Sequence, residues 1–300
     1  MTVATCEICK AGELETFREV DGLRYDICED CGSICADRVA YQRAKPRAYD
    51  DSYWSIEIAN ARDRSYGGTI ARVAEVFAMC RIPITRFLDI SSGGGSLLDA
   101  LSELLPEIQD VFHGNEPFPP PASFRSAHPN YKVGYISDLD GRFDAGVCIE
   151  VIEHLFPATL REMLAQLALR SNAGALYYFN SGQPVYVIQQ DPGYLDPFAR
   201  GHVVSYSVPG AAALFAEAGF TIHPFPGRAW GFLAEYKAGG VDDGEALMNR
   251  LWHPVAANTE LLNRCKYGKL FQVIGSESAR CFLESARADT FAAALARQSS

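Results

Sequence analysis

The chain has 300 residues, a formal net charge of −10, 48% hydrophobic and 21% charged residues. That balance describes a globular chain long enough to bury most of its apolar surface without disulfides. The acidic excess counts against a nucleic-acid binder, which needs clustered Lys and Arg; the nearest approach, Arg43, Lys45 and Arg47, reads as a solvated linker. No apolar run approaches the roughly 18–20 residues of a membrane span, and the opening MTVATCEICK lacks a basic and then apolar leader. A cytoplasmic location is expected. There, nine cysteines are metal ligands or buried thiols before they are disulfides.

The first element, over residues 1–45, is set by two cysteine pairs, Cys6-x-x-Cys9 and Cys28-x-x-Cys31. Each pair places two thiolates on a tight turn, and two such knuckles close a tetrahedral four-sulfur shell that suits zinc. Gly12, Gly22 and Gly32 permit turns, while Phe17, Val20, Leu23, Tyr25 and Ile27 alternate as short strands. Two hairpins pinned by a metal make a zinc ribbon. About forty residues build little core, so the ion supplies stability and the ribbon is a scaffold or docking element. Cys35 is a spare thiol; Cys80, Cys148, Cys265 and Cys281 are isolated and read as core.

Residues 46–84 read as a helical connector, with Ile70, Val73, Ala74, Phe77 and Ala78 on one face, a break at Gly67-Gly68 and a stop at Pro83. Over 85–238, strands and helices alternate. RFLDI is a strand, SSGGGS a turn and LLDALSELL a helix. Further strands fall at 110–114, YKVGYI, FDAGVCI, ALYYFN, 220–225 and 230–236, with helices at 158–169 and 209–218. This alternation predicts an α/β, Rossmann-like, mainly parallel sheet with helices on both faces. After Ala238-Gly239-Gly240, residues 239–300 read as a C-terminal helical extension, with helices near 244–252 and 276–297.

The strand, glycine turn and helix at 87–104 make a ligand site at the carboxyl end of the sheet. A dinucleotide fingerprint fails, because Leu98 stands where the third glycine belongs. Asp89 at the strand end disfavours an anionic pyrophosphate and favours a cation. S-adenosylmethionine carries an α-amino group and a sulfonium. Asp89-Ile-Ser91-Ser-Gly93-Gly-Gly95 resembles the first motif of class I S-adenosylmethionine-dependent methyltransferases, D/E-x-G-x-G-x-G, and departs from it at Ser91. The resemblance implies that Asp89, Ser91, Gly93 and Gly95 hold the cofactor. It also implies that Glu116, with Asn115 as a lesser alternative, accepts hydrogen bonds from the ribose hydroxyls, and that Ser137 and Asp138 face the adenine.

The run from Phe143 to His154 is similar to the fourth strand and following turn of the same family. Its Glu150-x-x-Glu153-His154 resembles quinone-pathway O-methyltransferases and RNA 3′-terminal 2′-O-methyltransferases, in which such residues bind a metal. A cofactor-lining role for Glu150, a second divalent ion at Glu150, Glu153 and His154, and acid–base work by these residues all stay open. His202 and Tyr206, after the fifth strand, are further catalytic candidates. His113, His128, His223 and His253 stand alone and read as structural.

A zinc ribbon joined to this core resembles bacterial sugar-modifying methyltransferases. The chain lacks the large C-terminal domain of the sugar C-methyltransferases, which leaves O-methylation of a sugar, nucleotide-linked or glycan, or of another small metabolite. Tyr177, Tyr178, Phe179, Tyr186, Tyr194, Phe198 and Trp230 are candidates to line the acceptor pocket. Three other readings stay open: an RNA methyltransferase that docks RNA through the ribbon, a non-enzymatic cofactor-binding or zinc-mediated interaction protein, and a nicotinamide dehydrogenase.

Overall fold

The computed structural model describes residues 5–44 and 51–298; Lys45 and Arg47, read above as linker, lie outside them. The ribbon opens with a hairpin, β1 (Leu14–Val20) and β2 (Leu23–Cys28). Its two-residue turn, Asp21-Gly22, has both φ angles positive, the geometry for which such a pair suits a tight hairpin. The second cysteine pair does not form a second hairpin alone. It turns β2 into β3 (Ile34–Ala36), which leads to α1 (Arg38–Arg43), capped by the Asp37 carboxylate. The fourth strand of this sheet comes from residues 204–205, far along the chain.

The connector is helical: α2 (Asp51–Arg64), a wide π-turn at Ser65–Thr69, then α3 (Ile70–Met79). The expected break falls at Gly67, whose φ of −108° and ψ of −111° are not helical. Beyond it the chain alternates as β4 (Phe87–Ile90), α4 (Ser96–Leu104), β5 (Phe112–Glu116), β6 (Tyr131–Val133), β7 (Phe143–Ile149), α5 (Pro157–Leu169), β8 (Ser171–Asn180), α6 (Pro184–Gln189), β9 (Val204–Ser205), α7 (Val208–Ala216), β10 (Phe220–Pro224) and β11 (Gly231–Tyr236). The extension comprises α8 (Gly244–Trp252), α9 (Ala256–Asn263) and α10 (Gly268–Gln298). Two expectations shift. Pro106–Val111 winds as a 3₁₀ turn, so β5 begins at Phe112, and YKVGYI breaks at Gly134, whose φ is 146°.

The main sheet has the order β10-β11-β8-β7-β4-β5-β6. Strands β4 to β8 run parallel, and β11 lies antiparallel between β8 and β10. Helix α3 packs on one face with α8 and α10, burying Val73, Phe77 and Phe271 against Phe87 and Phe112. On the other face, α5 and α7 share one apolar layer with the ribbon: Leu23, Tyr25 and Ile34 belong to the same cluster as Ile152, Phe179 and Tyr206. The ribbon is therefore part of the core beside β7 and β8. Among the described residues, no helix is long and apolar enough to cross a membrane.

Candidate active site

Parallel strands end in a row, and their carboxyl ends open a crevice between β4, β5 and β7. A cavity of about 580 Å³ lies there, lined by Asp89, Gly93, Glu116, Ile136, Glu150 and His154 among others. Helix α2 roofs it with Trp54, Glu57, Ile58, Ala61 and Arg64, spaced to share one helical face.

Ser91, where the family pattern has glycine, has a φ of 54°, in the left-handed region that glycine adopts without cost. The loop thus keeps the backbone course of the motif with a side chain in place, at a strain of roughly 1–2 kcal/mol. Asn115 braces it: its Oδ1 faces the Ser91 N–H at 3.5 Å, and its Nδ2 donates to Gly134 O at 3.1 Å. A Cβ at Gly94 would lie 2.7 Å from both Ile58 Cδ1 and Phe124 O, so this glycine lets the roof and the 122–126 loop close on the turn.

Two buried carboxyls face the loop. Glu116 accepts from Gly93 N–H at 2.7 Å and Phe118 N–H at 2.8 Å, one on each oxygen. Each oxygen keeps a lone pair for a ribose hydroxyl. Burial raises its pKa, with the two N–H groups opposing. Asp89 is pushed up to about 8, first by burial and then by the charge of Glu116. A cation placed between these two acids would offset their burial and mutual repulsion. Ser137 and Asp138, expected to face an adenine, do not line the cavity. The Asp138 carboxylate accepts from Tyr135 N–H within its own 3₁₀ turn, while the Ser137 peptide groups bond outward, N–H to Gln166 and O to Arg170. Tyr135 and Ile136 line the cavity instead, with Phe118 edge-on to Tyr135 at 6.4 Å. An aromatic, Phe118, two residues past Glu116 was the available signal.

Beyond β7 the backbone turns sharply at Glu150, whose φ is 54°. Its Oε1 accepts from Asn180 Nδ2, and its carboxyl lines both this cavity and a second one of about 310 Å³. Burial first and the Glu153 charge second raise it to about 8. Glu153 is wholly buried, raised by burial to about 7, and neither carboxylate oxygen has a hydrogen-bond partner. His154 Nδ1 contacts Gly201 O at 3.0 Å and His202 Nδ1 contacts Tyr194 O at 2.8 Å, which assigns the proton to Nδ1 and leaves each Nε2 free. The two rings stand 4.9 Å apart, and His202 Nε2 is 3.9 Å from Glu153 Oε1. Burial holds both imidazoles neutral, His202 down to about 3.

Glu153, His154 and His202 thus offer one ligand atom each within 4.8 Å of one another. The expected trio of Glu150, Glu153 and His154 is corrected: Glu150 turns to Asn180, and His202 takes its place. Tyr206 is corrected as well. It is buried, its hydroxyl donates to Leu155 O at 2.7 Å, and it lines neither cavity. Of the acceptor aromatics, Tyr186, Tyr194 and Trp230 line the second cavity together with Asp191 and Arg200. Tyr177, Tyr178 and Phe179 are core residues of β8, and Phe198 does not reach either cavity.

In the ribbon, Cys6 Sγ lies 4.0 Å from Cys31 Sγ, and Cys9 Sγ lies 3.6 Å from Cys28 Sγ. All four sulfurs lie within 4.8 Å of one another. A tetrahedron of Zn–S bonds has edges of about 3.8 Å, which these distances bracket, so the four thiols fit zinc. Cys35 points elsewhere, to Ala36 O, and Cys281, expected in the core, is exposed.

No protein-family model matches this sequence, and no curated protein matches it. Among solved structures the chain is similar to DesVI of Streptomyces venezuelae, at 13% identity and a TM-score of 0.45, over 63% of this chain and 100% of that one. It is similar to the sugar N-methyltransferase KedS8 of a Streptoalloteichus species, at 15% identity and a TM-score of 0.43, over 64% of this chain and 94% of that one. Magnesium protoporphyrin IX methyltransferase of Synechocystis, with S-adenosylhomocysteine bound, is similar at 14% identity and a TM-score of 0.39, over 66% and 94%. The fold itself is α/β, a mainly parallel seven-stranded sheet with antiparallel β11 between β8 and β10.

Proposed function

We propose that this chain is an S-adenosylmethionine-dependent methyltransferase. The cofactor occupies the larger cavity and a small polar acceptor the smaller one, and the reaction is O-methylation of a sugar, nucleotide-linked or glycan. One observation carries the reading: Asp89, the Gly93–Gly95 turn and Glu116 converge on a single cavity, and Glu150 joins that cavity to a second one. In this reading Asp89 meets the α-amino group, Glu116 the ribose, and Tyr135, Ile136 and Phe118 the adenine. Bound there, the cofactor supplies an electrophilic methyl group.

The protein's own work is alignment and one proton. Tyr186, Tyr194 and Trp230 offer faces to a sugar ring, and Asn180, Asp191 and Arg200 offer polar contacts to its hydroxyls. Glu150 stands where the cavities meet and takes the acceptor's proton. With its carboxyl raised to about 8, its basic form grows as pH rises through that value, so turnover on a hydroxyl acceptor rises over pH 7–9. The test is calorimetry with S-adenosylhomocysteine, followed by turnover on a panel of nucleotide sugars. Binding in the micromolar range with methylated sugar product supports the reading. No binding would favour the non-enzymatic interaction protein, and turnover on RNA alone would favour the RNA enzyme.

A second reading of the inner cluster rests on the unpartnered Glu153 carboxylate. Two free imidazole nitrogens and a buried carboxylate suit a divalent ion, which would sit beside the acceptor oxygen. Metal content above one zinc per chain, lost in Glu153→Gln, would support it.

A further inference from the structure

The ribbon and the acceptor wall share a sheet. β3 pairs with β9, Ile34 opposite Ser205 and Cys35 opposite Val204, and Ala36 N–H donates to Val203 O at 2.8 Å. The same peptide's neighbour bond runs inward, since Val203 N–H donates to Glu153 O at 2.9 Å. Residue 203 therefore bridges the ribbon to the turn that carries Glu153 and His154. One residue earlier, the wholly buried Tyr25 of β2 donates its hydroxyl to His202 O at 2.7 Å. Arg18 of β1 reaches Pro192 O at 2.5 Å, on the loop that carries Asp191 and Tyr194.

The seam also reaches the cysteines. Ser207 Oγ donates to the carbonyl of Cys31, a member of the four-thiol cluster, and Ser207 N–H donates to Ser33 Oγ at 3.0 Å. A Cβ at Gly210 would lie 2.2 Å from Ser33 Oγ, so α7 is pressed against this knuckle. By contrast, no ribbon residue among those described lines the cofactor cavity, and the bonds that fix Glu116 come from its own loop and the glycine turn.

We infer that the four-cysteine ribbon is the outer support of the acceptor wall, residues 191–206, and that Tyr25 is a positioning residue for His202. Loss of the ribbon's metal loosens that wall and leaves the cofactor half formed. The wall's role toward an acceptor rests on the function proposed above; its attachment to the ribbon does not. The segment between α6 and β9 has no helix or strand of its own, so its order depends on neighbours that hold its backbone groups. Arg18, Tyr25 and Ala36 among those neighbours belong to a module whose own order depends on a metal.

Hydrogen exchange on the full chain tests this, comparing zinc-loaded protein with protein stripped by a chelator. The amides of 192–206 should exchange about fivefold faster or more once zinc is removed, together with those of the ribbon. Those of β4, β5 and β7 should keep their rates, and affinity for S-adenosylhomocysteine should be unchanged. Tyr25→Phe should keep its zinc and speed exchange only around 194–203. In ¹⁵N spectra its His202 ring should move from a single Nδ1–H form to a mixture, while His154 stays as it is. If that variant does not fold, Ser33→Ala cuts the same seam, with the same expected exchange. Metal-free protein whose 192–206 amides keep their zinc-loaded rates overturns the inference, as does Tyr25→Phe with an unaltered His202 signal. Failure of the methyltransferase reading would show separately, as zinc-loaded protein that binds no S-adenosylhomocysteine.

Discussion

Asp89→Asn separates the cost of a buried acid from its use. This carboxyl is 5% exposed and raised from 3.8 to about 8, by burial first and by Glu116 second. The unfolded chain loses the proton near pH 4, whereas the folded chain keeps it to about 8. Between those values the folded state holds more protons, so stability falls as pH rises. At roughly 1.4 kcal/mol for each pH unit, the loss by pH 8 is on the order of 5 kcal/mol. Asparagine has nearly the same shape and cannot ionise, so the variant should lack this slope and be the more stable protein at pH 8. Glu116 is also raised by burial, in the wild type and in the variant, so the slope is compared between the two proteins. Ligand binding reverses the advantage. A cationic α-amino group holds Asp89 ionised, so S-adenosylhomocysteine binding at pH 7 should release close to one proton in the wild type and far less in the variant. Losing one buried charged hydrogen bond weakens binding by about 10–100-fold. Calorimetry in two buffers of different ionisation enthalpy reads affinity and proton release together. Wild-type affinity in Asp89→Asn, or equal proton release, would refute the placement of the amino group.

Two further substitutions probe the frame around the site. Ser91→Gly relieves left-handed strain of roughly 1–2 kcal/mol against an added chain-entropy cost of about 0.5–1 kcal/mol, so stability should rise by up to about 1.5 kcal/mol with cofactor affinity retained. A lower melting temperature would show that the serine side chain holds the loop. Arg228→Met breaks a buried pair in which both Glu75 oxygens are bonded, at 2.6 and 2.7 Å, beneath Phe225 and Phe282. Stranding the Glu75 charge should cost about 3–5 kcal/mol in urea unfolding. A loss below about 1 kcal/mol would mean that Arg72, 3.0 Å from Glu75, takes over the pairing.

What the sequence determined by itself lies within short spans of chain. The cysteine spacing brings four sulfurs together because each knuckle closes over three residues and one hairpin joins the two. Asp89, Ser91 and Gly93–Gly95 follow from a strand feeding a turn, and Ser91 keeps the glycine-like φ. Glu116 is legible because β5 ends there beside β4. Ser137 and Asp138 lie off the cavity because Asp138 bonds within its own 3₁₀ turn and Ser137 is tied to Gln166 and Arg170, which residue type alone does not reveal. Tyr206 and His202 are four residues apart with similar chemistry, yet one is core and the other faces both cavities. Only packing separates them. The trio of Glu153, His154 and His202, and the hold of Tyr25 on His202 across 177 positions, exist because a two-residue strand returns to the ribbon's edge. Such a pairing carries no periodicity of its own; it is stabilised by neighbours that only the folded chain supplies.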